Sequence, residues 1–316
     1  MANFLDVSGL TYCGKEYQNI FARDMYTLDL RNYGITLMDG VKGKMKLYIG
    51  EIGDVWQAYS CPFTPQGAAS LAESFIEPVA IKSNLENCYD TFWNTFLVEQ
   101  TSISLNGGIP QTFAAWFFDK YRQKMAREYE EIFWQGDTAR TATTKAYLKV
   151  TDGVEKQLSG NSAVTSVSLT AFTVDNILAQ VETVISSGLS VANDAEVDTG
   201  KYKVMMNKAD VDLLKMALGK VCCPNNNSIF SNYAKGADGG VIILGYEVIP
   251  TMQSRNTIIF GDPRNLVLGF DTFDSHLTWK LIDLRDTTGD NMFRIIAISN
   301  IAVGVVFPEG MVYASV

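Results

Sequence analysis

The sequence holds one histidine, His276, in 316 residues. That scarcity argues against Ser–His–Asp and Cys–His nucleophile systems and against multi-histidine metal sites. His276 stands in a strand-like run, where a packed or surface imidazole is the ordinary occupant. Cysteine is sparse too: Cys13, Cys61, Cys88, Cys222 and Cys223 are odd in number and form no C-x-x-C pair. They read as small apolar residues of a reducing compartment, not as a disulfide frame or a zinc site. Neither G-x-G-x-x-G nor G-x-x-x-x-G-K-[ST] occurs, so no phosphate-cradling loop is signalled. No apolar run reaches the roughly 18 residues that signal a membrane-spanning helix. Residues 1–17 lack the basic and apolar regions of a secretory signal.

Basic residues are in the minority, 26 Lys and Arg against 35 Asp and Glu, for a net charge of −9. Tight, sequence-specific nucleic-acid binding relies on Lys and Arg at phosphates, and this chain is poorly supplied for it. An acidic balance favours solubility and still permits nucleic acid to lie near one face without specific contacts. The carboxylate pairs Asp271/Asp274 and Asp283/Asp286 flank strand ends and read as structural. Without a catalytic constellation or a cofactor motif, the chain reads as a structural protein, not an enzyme.

What is present is packing material. Hydrophobic residues make up 47% of the chain and charged residues 19%. That balance fits one large or two medium globular domains. The longest helix the sequence supports is 110–136, PQTFAAWFFDKYRQKMAREYEEIFWQG. Pro110 suits a first helical position. Phe113, Trp116, Phe117, Tyr121, Met125, Tyr129, Ile132 and Phe133 recur at helical spacing, opposite a polar side from Asp119 to Glu131. Gly136 closes the helix as a residue without a Cβ penalty. Such a helix is a spine, and the strands expected over 277–301 are the natural sheet for its stripe.

The other segments follow in order. Residues 1–35 are turn-rich yet carry Phe4, Leu5, Leu10, Tyr12, Tyr17, Ile20 and Phe21, so they read as an arm lying on a surface. Asp39-Gly40 between apolar runs signals a hairpin, residues 68–75 a short amphipathic piece, and 78–82 a strand. Residues 160–170 are Ser/Thr-rich and read as a hinge. Helices are expected from 171, with Thr173 and Asn176 near its start, and from 208, with Asn207 as N-cap and Gly219 at its end. Strands are expected over 202–206, 241–250 and at five places after 257. The fold class is α+β.

This order of parts resembles the major capsid protein of tailed bacteriophages, a shell fold shared with encapsulins. The resemblance spans nearly the whole chain. It rests on the arm, the projecting β loop, the spine ending in FWQGD (133–137), TDGVEKQL (151–158), AFTVDNILAQVETV (171–184), KVMMNKADVDLLKMAL (203–218), GVIILGYEVIP (240–250), NLVLGFDT (265–272) and two long closing strands. The order is the evidence, since none of these motifs is a strict signature.

The resemblance implies a division into an N-terminal arm (1–35), an extended β-hairpin loop (36–83), a peripheral domain (84–161 and 276–316) and an axial domain (162–275). It implies a subunit that assembles with copies of itself, as pentamers and hexamers, into an icosahedral head around double-stranded DNA contacted nonspecifically. The alternative is an encapsulin-like compartment shell. An arm beginning near Met1 implies a separate scaffolding protein. A portal and, where the shell carries them, decoration proteins are the other partners. No cofactor, metal or membrane is implied. The place is the virion, after synthesis in the bacterial host cytoplasm. Lys42, Lys44, Lys46 and Trp56 of the loop and Glu128, Glu130 and Glu131 of the spine are the candidate inter-subunit contacts, the glutamates facing basic groups of a neighbour.

Overall fold

The computed structural model describes residues 29–53, 56–59, 61, 67, 69–88, 111–194, 198–221, 240–270, 280–284, 289–290 and 292–316. Residues 1–28 of the expected arm, His276, Asp271, Asp274, Asp286, Cys13, Cys222 and Cys223 lie outside the described residues. The elements in order are α1 (Asp29–Asn32), β1 (Thr36–Asp39), β2 (Met45–Ile52), β3 (Ala69–Ile76), β4 (Val79–Cys88), α2 (Gln111–Gln135), α3 (Val154–Ser159), β5 (Thr165–Ser168), α4 (Ile177–Asp194), β6 (Lys203–Asn207), α5 (Lys208–Val221), β7 (Val241–Ile243), β8 (Tyr246–Thr251), β9 (Thr257–Gly261), β10 (Leu266–Phe270), β11 (Lys280–Asp283), β12 (Met292–Val305) and β13 (Val312–Ser315).

Helix α2 runs for 25 residues, roughly 37 Å at 1.5 Å per residue. It lies across a sheet of order β1-β10-β12-β11, with β4 also paired to β12. Tyr129 of α2 donates its hydroxyl to the Asn300 carbonyl of β12 at 3.1 Å. Tyr121 shares a hydrogen bond of 2.7 Å with Ser83 of β4. Phe133 and Trp134, in edge-to-face contact at 5.0 Å, lead the end of α2 into a core with Leu148, Leu158, Leu266, Leu268, Met205 and Met311. A second core joins α4 and α5 to a six-stranded sheet of order β5-β13-β9-β6-β8-β7, around Val181, Ile185, Leu214, Val204 and Phe260.

Local signals explain several element ends. Thr173 and Asn176 form a reciprocal cap before α4: the Thr173 N–H donates to Asn176 Oδ1 at 2.7 Å and the Asn176 N–H to Thr173 Oγ1 at 3.3 Å. Asn207 Oδ1 accepts from the Ala209 N–H at 2.9 Å and starts α5. Helix α5 continues through Gly219 to Val221.

The structure departs from the sequence reading at six places. Asp39-Gly40 does not fold β1 back on β2. Gly40, at φ 80°, turns the chain out of the sheet. The Val41 N–H then reaches the Phe270 carbonyl, and β1 pairs in parallel with β10. Residues 69–76 are a strand and not an amphipathic turn, because β2 offers a full ladder from Met45↔Ile76 to Ile52↔Ala69. The expected hinge contains β5, paired in parallel with β13; Thr165 and Val167 are β-branched and suit it. The run 241–250 is a hairpin, turned at Leu244 (φ 50°) and Gly245 (φ 88°), the backbone of a primed two-residue turn.

The fifth departure concerns segment membership. Strands β1 and β10 sit in the sheet under α2, although 36–83 reads as loop and 162–275 as axial domain. Strand β13 sits in the six-stranded sheet, although 276–316 reads as peripheral. The chain crosses between its two sheets more often than contiguous segments allow. The sixth concerns Gly136, which has no left-handed backbone. A Cβ there would stand 2.3 Å from the Thr151 carbonyl and 2.9 Å from the Gly153 nitrogen, while one on Gly153 would stand 2.6 Å from the Gly136 nitrogen. The two glycines let two stretches of backbone touch, joined by Gly153 N–H to Gly136 O at 2.8 Å.

Candidate interaction surfaces

At the end of α2 the helix itself has no basic residue in its last turn. The following loop supplies one. Lys145, held at φ 54°, places its ammonium 2.9 Å from Glu131. The Tyr147 hydroxyl donates to the same carboxylate, and Arg127 approaches at 3.3 Å. Burial alone would push the Glu131 carboxyl up, but Tyr147, Lys145 and Arg127 together hold it below the usual carboxylate range. Glu130 and Glu131 are 6% and 5% exposed. They face inward, and Glu131 serves this chain's own cations, so neither offers its charge to a neighbour. Glu128 is half-buried and lies 3.1 Å from Lys124.

Beside Glu128 a groove of about 290 Å³ runs between α2 and the β4–β12 pair, lined by Ile81, Met125, Tyr129, Ile132, Val150 and Ala297 among others. Its walls are mostly apolar, with Lys82 and Glu128 at the edges.

The β2–β3 ribbon carries the second set of candidates. Residues Lys46, Tyr48 and Gly50 stand opposite Phe75, Glu73 and Leu71. Lys46 is spent inside the ribbon, 2.8 Å from Glu73. Lys44 and Lys46 lie 4.8 and 5.7 Å from the centre of the Phe75 ring, a cation–π arrangement. Lys42 is exposed. Tyr48 and Leu71 are 62% and 74% exposed, and Trp56 beyond the ribbon is 91% exposed. A two-stranded ribbon is marginal alone in water, and this one presents large apolar side chains away from the body. Unlike the lysines, Tyr48 and Leu71 escaped the sequence reading; they share one face of the ribbon with Glu73, which only the pairing reveals.

A third feature had no sequence signal. The loop between β8 and β9 collects polar contacts from five directions. Gln135 at the end of α2 donates to the Met252 carbonyl. Glu155 of α3 accepts from the Ser254 N–H and hydroxyl. Asn207 donates to the Gln253 carbonyl. The fully buried Asp210 accepts from Arg255 and from the Asn256 N–H. The Phe172 N–H donates to Asn256 at 2.8 Å. Gln253 is itself buried, bonded to the Met205 and Thr257 carbonyls. This is a clamp between the spine and the six-stranded sheet, with each charge answered. Among the described residues no group of three or more His, Cys, Asp or Glu could hold a metal ion. No described helix is long and apolar enough to cross a membrane.

No family model matches the chain, and no curated protein matches it. Solved structures do. A chain of the satellite phage P4 procapsid with its size-determination protein aligns over 96% of this chain and 92% of its own, with a TM-score of 0.62 at 12% identity. The capsid of the Myoviridae phage XM1 aligns over 91% of both chains at 0.55 and 11% identity. The capsid of an empty GTA particle aligns over 92% and 89% at 0.54 and 13% identity. The chain has the tailed-phage major capsid fold. Within that capsid fold α2 is the spine, β2–β3 the projecting ribbon, and the α4–α5 layer with its sheet the second lobe.

Proposed function

We propose that the chain is the structural subunit of an icosahedral phage head. The observation that carries this reading is the fold match to a procapsid chain over 96% of this chain and 92% of that one. The ribbon supports it physically. Tyr48, Leu71 and Phe75 are costly to leave in water, and a closed shell of copies covers each ribbon with its neighbour. Contacts that are weak singly become strong when every subunit makes several at once.

In this reading the body under α2, including the part built from 84–161 and 276–316, is the peripheral domain, and most of 162–275 is the axial domain that meets its counterparts in pentamers and hexamers. The arm, 1–35, and the loop, 36–83, reach neighbouring copies. Lys42 and Trp56 of the loop and Glu128 at the groove are the contact residues retained from the sequence; Lys44 and Lys46 act through Phe75. A scaffolding protein, a portal and packaged double-stranded DNA are the partners outside the shell, and the virion is the destination. An encapsulin-like compartment shares the fold, but the shells matched are phage and GTA particles, which favours the head. The role is mechanical and involves no chemical step.

Expression of the chain alone and with its neighbouring gene products, followed by electron microscopy, tests this. Closed shells of uniform diameter are the expected result. A chain that stays monomeric in every salt and scaffold condition overturns the reading.

A further inference from the structure

The ribbon β2–β3 enters and leaves the body at two residues, Val41 and Ile76. Both are fully buried, with exposed neighbours at Lys42, Phe75 and Glu77. They share a small core of their own with Val267 and Ala302, flanked by Met38, Met45, Leu47 and Val306. The floor of that core is made by two glycines on adjacent strands, Gly269 of β10 and Gly304 of β12, whose register partners are Ala302 and Val267. A Cβ on Gly304 would stand 2.3 Å from Ile76 Cγ2. One on Gly269 would stand 3.0 Å from Val41 Cγ2 and 3.4 Å from Ile76 Cδ1. The glycines therefore form a socket shaped to these two side chains, deepest at Ile76.

The two sides of the ribbon are attached differently. On the entering side Val41 is seated in the same socket with its N–H on the Phe270 carbonyl, but Lys42, Gly43 and Lys44 beyond it are exposed, with open space beside Gly43. On the returning side Ile76 is seated in the socket, the Ser74 hydroxyl donates to the Val305 carbonyl at 3.3 Å, and Pro78 follows with its fixed φ.

We propose that Ile76 is the pivot of the projecting ribbon. The socket of Gly269 and Gly304 sets the angle at which the ribbon leaves the body, and the exposed stretch Lys42–Lys44 is the slack that lets it swing about that point. In a shell, copies at different positions meet neighbours at different angles. A ribbon seated directly at its returning end, and joined to its seat by three exposed residues at its entering end, can meet them without unfolding. This use of the pivot rests on the capsid reading; the pivot itself does not.

Hydrogen exchange on the unassembled chain tests the pivot first. Ile76→Ala should speed exchange of the amides of 45–52 and 69–75 at least tenfold, and leave 203–207 and 257–261 unchanged. Ile76→Val, which keeps most of the side chain, should give the same local pattern at two- to threefold, and serves if the alanine variant does not fold. Gly304→Ala should loosen the ribbon likewise. Gly304→Ala with Ile76→Ala should exchange more slowly than Ile76→Ala alone, because the new methyl refills the emptied socket. A uniform rise across both sheets, or no rise at the ribbon, overturns the pivot. Particle diameter tests its use: where the wild-type chain forms uniform shells, Ile76→Val should at least double the spread of diameters. Uniform shells from that variant would show that the angle is set elsewhere. If the wild-type chain forms no shells, the capsid reading fails while the exchange result still decides the pivot.

Discussion

At the scale of single residues, two buried carboxylates, Glu131 of the spine and Glu155 of α3, behave oppositely. Burial pushes Glu131 up, but Tyr147, Lys145 and Arg127 outweigh it and hold the group low. Its ionised form adds stability above the ordinary carboxylate range, and that stability is lost as pH falls through the depressed value. Burial also pushes Glu155 up, and there the Ser254 bonds do not overcome it. Its ionised form costs stability at neutral pH, a cost that disappears as pH falls through the raised value. Glu131→Gln should thus lower the urea midpoint at pH 7, and the gap from wild type should close only well below the unperturbed glutamate value of about 4.3, as pH falls through the depressed value. Glu155→Gln should raise the midpoint at pH 7, and the gain should fade toward acid. Gly136→Ala should cost about 3 kcal/mol or more, since its Cβ would meet backbone that cannot rotate away; thermal unfolding checks it. FWQGD and TDG could be read as motifs, but not the reason for them. That reason is a contact between residues 15 apart or more, 136 with 151 and 153, and sequence spacing carries no distances. The burial of Glu131 has the same kind of cause: a charged residue in an exposed-looking register meets Lys145 arriving from beyond the helix.

At the scale of elements, helix α4 contains Gly188 in its middle. An isolated glycine there would normally gain about 1 kcal/mol on replacement by alanine. Here the new Cβ would stand 2.2 Å from Phe260 Cδ1. Phe260 cannot retreat: it is fully buried, edge-on to Tyr202 at 5.3 Å and to Tyr246 at 5.1 Å. Overpacking typically costs 1–3 kcal/mol, so the net effect of Gly188→Ala is destabilising by about 1 kcal/mol, measurable by chemical denaturation. Gly188→Ala with Phe260→Leu should recover part of it. Helices α2, α4 and α5 were legible because their stripes and caps are local. The strands after 257 were legible as apolar runs. Which strand pairs with which was not, because β1–β10 and β5–β13 join residues far apart in sequence, in parallel, and no turn residue announces a parallel pair. The Asp39-Gly40 signal was genuine turn chemistry, but the turn leads out of a sheet instead of closing a hairpin.

At the scale of the whole molecule, the order of parts was the most informative property of the sequence, and the fold match rests on the same order at 12% identity. The position of β13 carries a consequence for how the molecule is made. Its four residues lie between β5 and β9, inside the six-stranded sheet and not at its edge. Val312 and Ala314 are core residues. During synthesis Thr165 of β5 leaves the ribosome 147 residues before Val312, its partner in β13 and, among the described strands, its one sheet neighbour, at roughly 5–20 residues per second. For that interval β9 has one open side and β5 has no strand beside it in the sheet. Folding of this lobe must therefore wait for residues 312–315. A chain interrupted before them would be left with β9 unpaired on one side. Removing residues 312–316 should leave far-ultraviolet helix signal from α2 but abolish the cooperative unfolding transition of the second lobe, as circular dichroism and calorimetry would record. If the proposed shell is what this chain builds, only chains translated through residue 315 carry a closed second lobe into it.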